Sequence, residues 1–425
     1  MLDVLRNRTY RHLFAAQVVA LLGTGLATVA LGLLAYNLAE GQAGVVLGTA
    51  LAIKMVAYVL VAPVASALAQ NLPRRAVLVS LDVVRAAVAL ALPFVAQVWQ
   101  IYVLIFVLQA ASAAFTPTFQ ATIPDVLPEE EDYTKALSLL RLAYDLESLI
   151  SPMLAAALLT VMSFQDLFAG TVVGFLASAL LVVSVLLPAS APQEKRGIYE
   201  RTTRGSRIFF ATPRLRGLLA INAAVAAAGS MVFVNTVVMV QAGMKLPQTA
   251  VAVALAAFGA GSMVAALALP KVLDRWTDRA AMLAAASTLV VVLLIGSVGP
   301  SYAGLVCLWV VAGLAYSTAQ TPSGRLLRRS AAAADRPSLF SAQFAWSHAC
   351  WLFFYPLAGW IGTRWGVSVA FGFLGLAAAT AIVVASRLWP QDDPEAIEHV
   401  HEDGTRHTHA FWIDDSHTQW PGRVP

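Results

Sequence analysis

Charge is what this sequence has least of. Only 12% of its 425 residues are Asp, Glu, Lys or Arg, while 59% are hydrophobic. A soluble globular chain carries about 25% charged residues, so an ordinary water-soluble domain is excluded. Cysteine is also scarce: Cys307 and Cys350 both fall in apolar stretches and make no disulfide framework. There is no P-loop and no nucleophile–base or catalytic metal spacing, so neither an enzyme nor a nucleotide-driven machine is expected. No cleavable leader is expected either. The basic start LRNRTYRH runs into an apolar segment near 14–38 that is too long for a signal core.

What the chain has in abundance is long apolar runs. Mean hydropathy is +0.72, and many stretches exceed the roughly 18 apolar residues that mark a membrane span. Lipid offers no partner to an open backbone, so these runs are read as helices. Twelve are expected, near 11–38, 44–68, 75–97, 100–123, 134–163, 167–188, 216–241, 248–270, 280–298, 301–320, 338–363 and 367–388. With the N-terminus inside, about 23 of the 28 Lys and Arg fall in cytoplasmic segments. The positive-inside rule then places both termini in the cytoplasm of a multi-pass protein of the cell (inner or plasma) membrane. The same topology accounts for the basic pI near 9.1, so no nucleic-acid partner is expected. The expected domains are an N-terminal six-helix bundle (1–188), a central cytoplasmic loop (189–215), a C-terminal six-helix bundle (216–388) and a cytoplasmic tail (389–425).

The halves repeat at an offset of about 204–205 residues. RHLFAA from Arg11 parallels RGLLAI from Arg216, Thr116-Pro117 falls on Thr321-Pro322, and SALAQNLPRR from Ser66 parallels PKVLDRWTDR from Pro270. Three matches in register imply a parallel repeat of six helices, an architecture used by transporters. The fold class expected is an all-α membrane protein of twelve helices in two pseudo-symmetric bundles.

The segment after Pro270 resembles the short loop between helices two and three of the major facilitator superfamily, roughly G-x-L-A-D-R-x-G-R-R. It keeps Asp274, Arg275, Asp278 and Arg279. The first-half copy keeps Arg74 and Arg75 but has Gln70 where the acid belongs; Asp82 and Arg85, just inside the next helix, are candidate substitutes. AFTPTFQATIPDVLPEEE (114–131) resembles the end of helix four in drug, siderophore and metal exporters. Glu147, Ser151, Pro152, Ala155 and Ala156 match, in degenerate form, an exporter motif of helix five. The resemblance implies the major facilitator fold and a secondary transporter working by alternating access. Its partners are the lipid bilayer, protons and a small organic or metal-ion substrate, and the expected state is a monomer.

The intramembrane charges are the candidate site. An ion at a helix centre costs about 2.5–3.5 kcal/mol on insertion scales, so such residues face an interior or a wet cavity. Arg141 and Asp145 are one turn apart and can pair, either as a structural bridge or with Asp145 as a substrate or proton site. Glu147 points about 200° from Asp145 and has no obvious cation partner on its own helix. It reads as a coupling acid with Lys54 of the second helix as its candidate counter-ion; otherwise Lys54 is a partner to Asp145 or Glu147 with no part in transport. The repeat sets His348 and Cys350 opposite Asp145 and Glu147; His348 is a proton-site or metal-site candidate, or a hydrogen-bonded structural residue. Met, Phe and Trp residues are read as packing or lipid-facing.

On the cytoplasmic face, the acids Glu129, Glu130 and Glu131 and the arginines Arg325, Arg328 and Arg329 form a candidate latch, unless they are simply solvated loop charges. The tail holds five of the seven histidines: His399, His401, His407, His409 and His417. It resembles the histidine-rich tails of nickel-resistance exporters. That points to a divalent transition metal, with a docking tail as the other reading. No other cofactor is expected. A non-transporting sensor on the same fold, with a metal-responsive tail, remains the alternative.

Overall fold

The computed structural model describes residues 1–38, 43–70, 72–189, 196–393, 396–400, 406–415, 417, 419 and 420. His401 and residues 190–195 lie outside them. The chain divides into two units, Met1–Ser190 and Ala191–Pro425.

The first unit holds α1 (Arg8–Leu38), α2 (Ala43–Ala69), α3 (Arg74–Ala91), α4 (Val98–Val126), α5 (Glu130–Leu158) and α6 (Asp166–Val183). The acids Glu130, Glu131 and Asp132 open α5, where they complement the partial positive charge of a helix N-terminus. α1 packs on α5 and α6, α2 on α4, and α3 on α4 and α6. Tyr10, Leu13, Phe115, Phe119 and Tyr133 fill one core, and Leu26, Ala30, Ile101 and Phe168 another.

The second unit adds α7 (Ile198–Ala211), α8 (Pro213–Ser230), α9 (Gln248–Leu273), α10 (Asp278–Gly296), α11 (Tyr302–Gln320), the short α12 (Ser323–Arg329), α13 (Arg336–Trp365) and α14 (Val367–Leu388). α8 packs on α13 and α14, α9 on α11, and α10 on α11 and α14. Each of these pairings has its counterpart in the first unit, so the repeat extends from sequence to packing.

Among the described residues, ten helices are long and apolar enough to cross a membrane by length and composition. The other two long helices are α5 and α13, which occupy the same place in their respective halves. Polar residues dilute them: Arg141, Asp145 and Glu147 in α5, and Gln343, Ser347 and His348 in α13.

Two segments differ from expectation. The central stretch is not merely a loop: α7 is amphipathic, buries Ile208 and Phe209, and packs on α13. Its Arg and Glu residues had disguised a helix as a charged linker. The all-α expectation also needs an addition in the tail, where Ala396–Val400 (β1) pairs antiparallel with Arg406–Ala410 (β2).

After α8 the chain continues as two π-helical segments, Met231–Asn235 and Val238–Gly243. Such wide turns are rare and recur at functional sites.

Candidate functional site

In the first unit the intramembrane charges form one polar cluster. Arg141 and Asp145 make a two-point ion pair, Nη2 to Oδ1 at 2.8 Å and Nε to Oδ2 at 3.3 Å. Glu147 leaves α5 on another face and reaches α1. Its Oε1 lies 2.8 Å from where a Cβ on Gly25 would stand, beside the Ser151 side chain. The absence of a side chain at Gly25 is what admits both groups. Lys54 on α2 is the charge that acts on Glu147. Lys54 also sits 5.6 Å from the centre of the Tyr58 ring, and Tyr58 Oη donates to Gln109 Oε1 at 3.0 Å. Tyr144 accepts from Gln17 Nε2 at 3.1 Å and lies within electrostatic reach of Tyr58, Glu147, Arg141 and Arg85. Ser151 Oγ is buried with no hydrogen-bond partner among the described residues.

Asp82 and Arg85 form a separate ion pair within α3. Ser178 Oγ donates to Asp82 at 2.7 Å. The Arg85 guanidinium lies 4.1 Å from the Phe115 ring and 4.5 Å from the Phe175 ring. Two π faces thus hold the cation while the carboxylate neutralises it.

The second unit builds the corresponding region from rings. Phe233, in the first π segment, meets Phe258 of α9 at 5.5 Å and Trp351 of α13 at 6.2 Å. Tyr316 of α11 meets Phe258 at 5.3 Å and Trp351 at 6.3 Å, and Tyr355 lies 4.9 Å from Trp351. Trp351 presses on Gly229 of α8, where a Cβ would overlap the indole. From the sequence alone these rings read as packing or lipid-facing residues. The usable signal was the repeat: an offset of 204 carries Gly25 to Gly229, Lys54 to Phe258 and Glu147 to Trp351. The counterpart of Glu147 is therefore Trp351 rather than Cys350, because each closes on the equivalent glycine. His348 is engaged by its own helix: Nδ1 donates to the Phe344 carbonyl at 2.7 Å, and the two rings lie 4.2 Å apart.

The loop-side charges are paired within each unit. Arg74 bonds Asp125 at 2.6 Å. The same 204-residue offset carries this pair to Asp278 and Arg329, which bond at 3.4 Å with the signs exchanged. Asp278 also faces Arg325 at 3.1 Å. Arg279 donates to the Trp389 and Ser386 carbonyls at 2.9 and 3.1 Å. Arg75, Asp274 and Arg275 are exposed. Of the expected latch, Glu131 bonds Lys135 at 2.7 Å, while Arg325 and Arg329 are occupied by Asp278 and Asp393. Each side of the latch thus has partners in its own unit.

The tail is docked by acids and rings. Asp393 lies 3.3 Å from both Arg214 and Arg329. Asp415 bonds Arg196 and Arg204, and Arg204 also holds Asp335 at 2.7 Å. Hydrogen bonding to Asp335, then the nearby acid charge, holds the Arg204 guanidinium above its ordinary pKa despite partial burial. Burial acts to raise the Asp415 carboxyl, but Arg204 and Arg196 outweigh it and hold the group below its ordinary value. Trp420 covers the Arg214 guanidinium at 5.1 Å, and Phe411 packs on Trp420 and His417. His417 Nδ1 lies 3.0 Å from Asp414 Oδ1. The hairpin register sets His399 opposite His407 and Ile397 opposite His409. Among the described residues no group of three or more His, Cys, Asp or Glu is placed to hold a metal.

The family model of the Major Facilitator Superfamily matches residues 13–294 and 218–414. Macrolide efflux protein A of Streptococcus pyogenes is 24% identical over 181 residues, 41% of this chain and 44% of that protein. The uncharacterized MFS-type transporter YfiS of Bacillus subtilis is 25% identical over 167 residues, 38% of this chain and 40% of that protein. The chain thus spans under half the length of these relatives. Among solved structures, the human organic anion transporter MFSD10 (TETRAN) superposes with a TM-score of 0.77 at 13% identity, covering 89% of this chain and 99% of that one. A bacterial homologue of the iron transporter ferroportin, in an outward-facing state, gives 0.76 at 14% identity with the same coverage. At these identities the superpositions establish the fold alone.

Proposed function

Since the chain belongs to the major facilitator superfamily, we propose that it is a proton-coupled exporter of amphipathic organic molecules. In this reading the first unit carries the coupling acid and the second the binding wall. The carrying observation is the exchange of Glu147 on Gly25 for Trp351 on Gly229 at equivalent places in the two units. An acid kept at a cost of about 2.5–3.5 kcal/mol inside a membrane calls for a function. Glu147 takes up and releases the proton, with Lys54 as the cation that competes for its charge. The rings of Phe233, Phe258, Tyr316, Trp351 and Tyr355 offer flat apolar faces, and their π electrons favour a substrate bearing a positive charge. The efflux relatives support the outward direction.

The membrane is the cell's inner or plasma membrane, with both termini in the cytoplasm, as the distribution of Lys and Arg supports. A metal substrate is the less favoured reading. Asp414 and Asp415 already serve His417, Arg196 and Arg204, which supports a tail that straps the second unit rather than one that chelates.

Everted vesicles energised by a pH gradient test the proposal. A planar cationic dye should be taken up by the wild type, whereas nickel, cobalt and zinc should not. Metal uptake without dye uptake refutes the organic-substrate reading, and wild-type uptake by Glu147→Gln refutes the coupling assignment.

A further inference from the structure

A groove of about 830 Å³ lies on the second unit between α9, α10 and α11. That volume falls within the range of about 300–1,000 Å³ usual for ligand sites. Its floor is apolar and small-featured, formed by Ala281, Ala285, Val311 and Leu314. Its rim is ionic. Lys271 and Arg275 stand one turn apart where α9 ends, with Asp274 beside them and Trp276 next in sequence.

Three cations near this rim are already engaged. Arg279, Arg325 and Arg329 are held by carbonyls or acids. Among the described residues the side chains of Lys271 and Arg275 make neither a hydrogen bond nor an ion pair. Thr288 and Thr318, deeper in the groove, donate to their own helices, to the Ala284 and Leu314 carbonyls. The interior therefore asks for no polar ligand, while the rim asks for an anion.

We propose that this groove binds one anionic phospholipid, with the phosphate between Lys271 and Arg275 and an acyl chain along the alanine floor. Basic pockets between membrane helices at the cytoplasmic side are suited to anionic headgroups. Trp276 marks the interfacial depth at which such a headgroup lies. Asp274 leaves the rim with a net charge of one positive unit and accepts a hydrogen bond from a headgroup hydroxyl, which favours a glycerol-headed lipid. The site needs no knowledge of the transported solute, so it stands or falls independently of the proposed function.

Native mass spectrometry of the full chain, titrated with phosphatidylglycerol or phosphatidylcholine in detergent, reads the site. One phosphatidylglycerol should bind, at least tenfold more tightly than phosphatidylcholine. Lys271→Ala with Arg275→Ala should cut that affinity at least tenfold, while the distant Arg364→Ala leaves it within twofold. Ala284→Trp, which fills the groove and keeps every charge, should also weaken binding at least fivefold. Thermal melting of each variant in lipid-free detergent verifies its folding. Unchanged affinity in the double variant overturns the proposal. So does unchanged affinity in Ala284→Trp, since attraction to surface charge alone is insensitive to the groove.

Discussion

Gly25 and Gly229 stand 204 residues apart, and each receives side chains from the fifth long helix of its own half. In the first unit Glu147 and Ser151 close on the glycine; in the second Trp351 does. Lys54 and Phe258 are exchanged in the same way. The repeat has kept the backbone approach and let the chemistry diverge. In a membrane the two outcomes differ in cost, since a ring is tolerated in lipid and an ion is not. The difference teaches where a functional explanation is needed: at Glu147 and Lys54 for charge, and at the π-helical segment that carries Phe233 for shape. A second exchange tells a structural story instead. Arg74–Asp125 and Asp278–Arg329 tie the same helix ends with opposite signs, so what is preserved is the attraction.

The largest expected effect comes from breaking that second exchange. Arg74 is buried, and stranding one member of a buried pair costs about 3–5 kcal/mol. Arg74→Asp should therefore lower the melting temperature in detergent sharply, and adding Asp125→Arg should restore most of the loss. The mirrored double change, Asp278→Arg with Arg329→Asp, should rescue less, because Arg329 also serves Asp393. Equal rescue in the two units contradicts that account.

A smaller effect comes from filling the glycine sites. Overpacking costs about 1–3 kcal/mol. Gly25→Val should depress proton-driven uptake while dye binding stays within threefold. Gly229→Val should weaken dye binding at least fivefold, because it displaces Trp351. The same phenotype from both variants would show that the two places do not differ in role.

The smallest effect lies in the tail. The Asp415 carboxyl is held below its ordinary value, so its contribution to docking is full above about pH 3.9. It is lost only as pH falls through the lowered value. Limited proteolysis of the tail should therefore be flat from pH 8 to 5. Asp415→Asn should raise the nicking rate about two- to threefold at pH 7, a size suited to a half-exposed, screened pair. A steep change within that range contradicts the assignment of docking to Asp415.

The long apolar runs made the helix order legible, and the repeat made the halves legible. Charges inside helices advertised Arg141, Asp145, Glu147 and Lys54 because each carries an insertion cost. The rings did not advertise themselves, since Phe258 or Trp351 in an apolar run looks like any lipid-facing residue. Position within the repeat, not residue type, was the missing signal. α7 was hidden because its charged face resembles a topology loop, while Ile208 and Phe209 are its only buried apolar residues besides Gly205. The tail's acids looked like neighbours for histidines; their arginine partners are distant in the chain and could not be read from it.

The central claim is that charge works in one unit and binding in the other. Dye binding and dye-coupled proton flux, measured side by side on Glu147→Gln and Trp351→Leu in proteoliposomes, test it most directly. The account predicts that Glu147→Gln binds dye within threefold of wild type and moves no coupled protons. It predicts that Trp351→Leu binds at least tenfold more weakly, yet retains the wild-type ratio of protons to dye at saturation. Loss of binding in Glu147→Gln with intact binding in Trp351→Leu would contradict it.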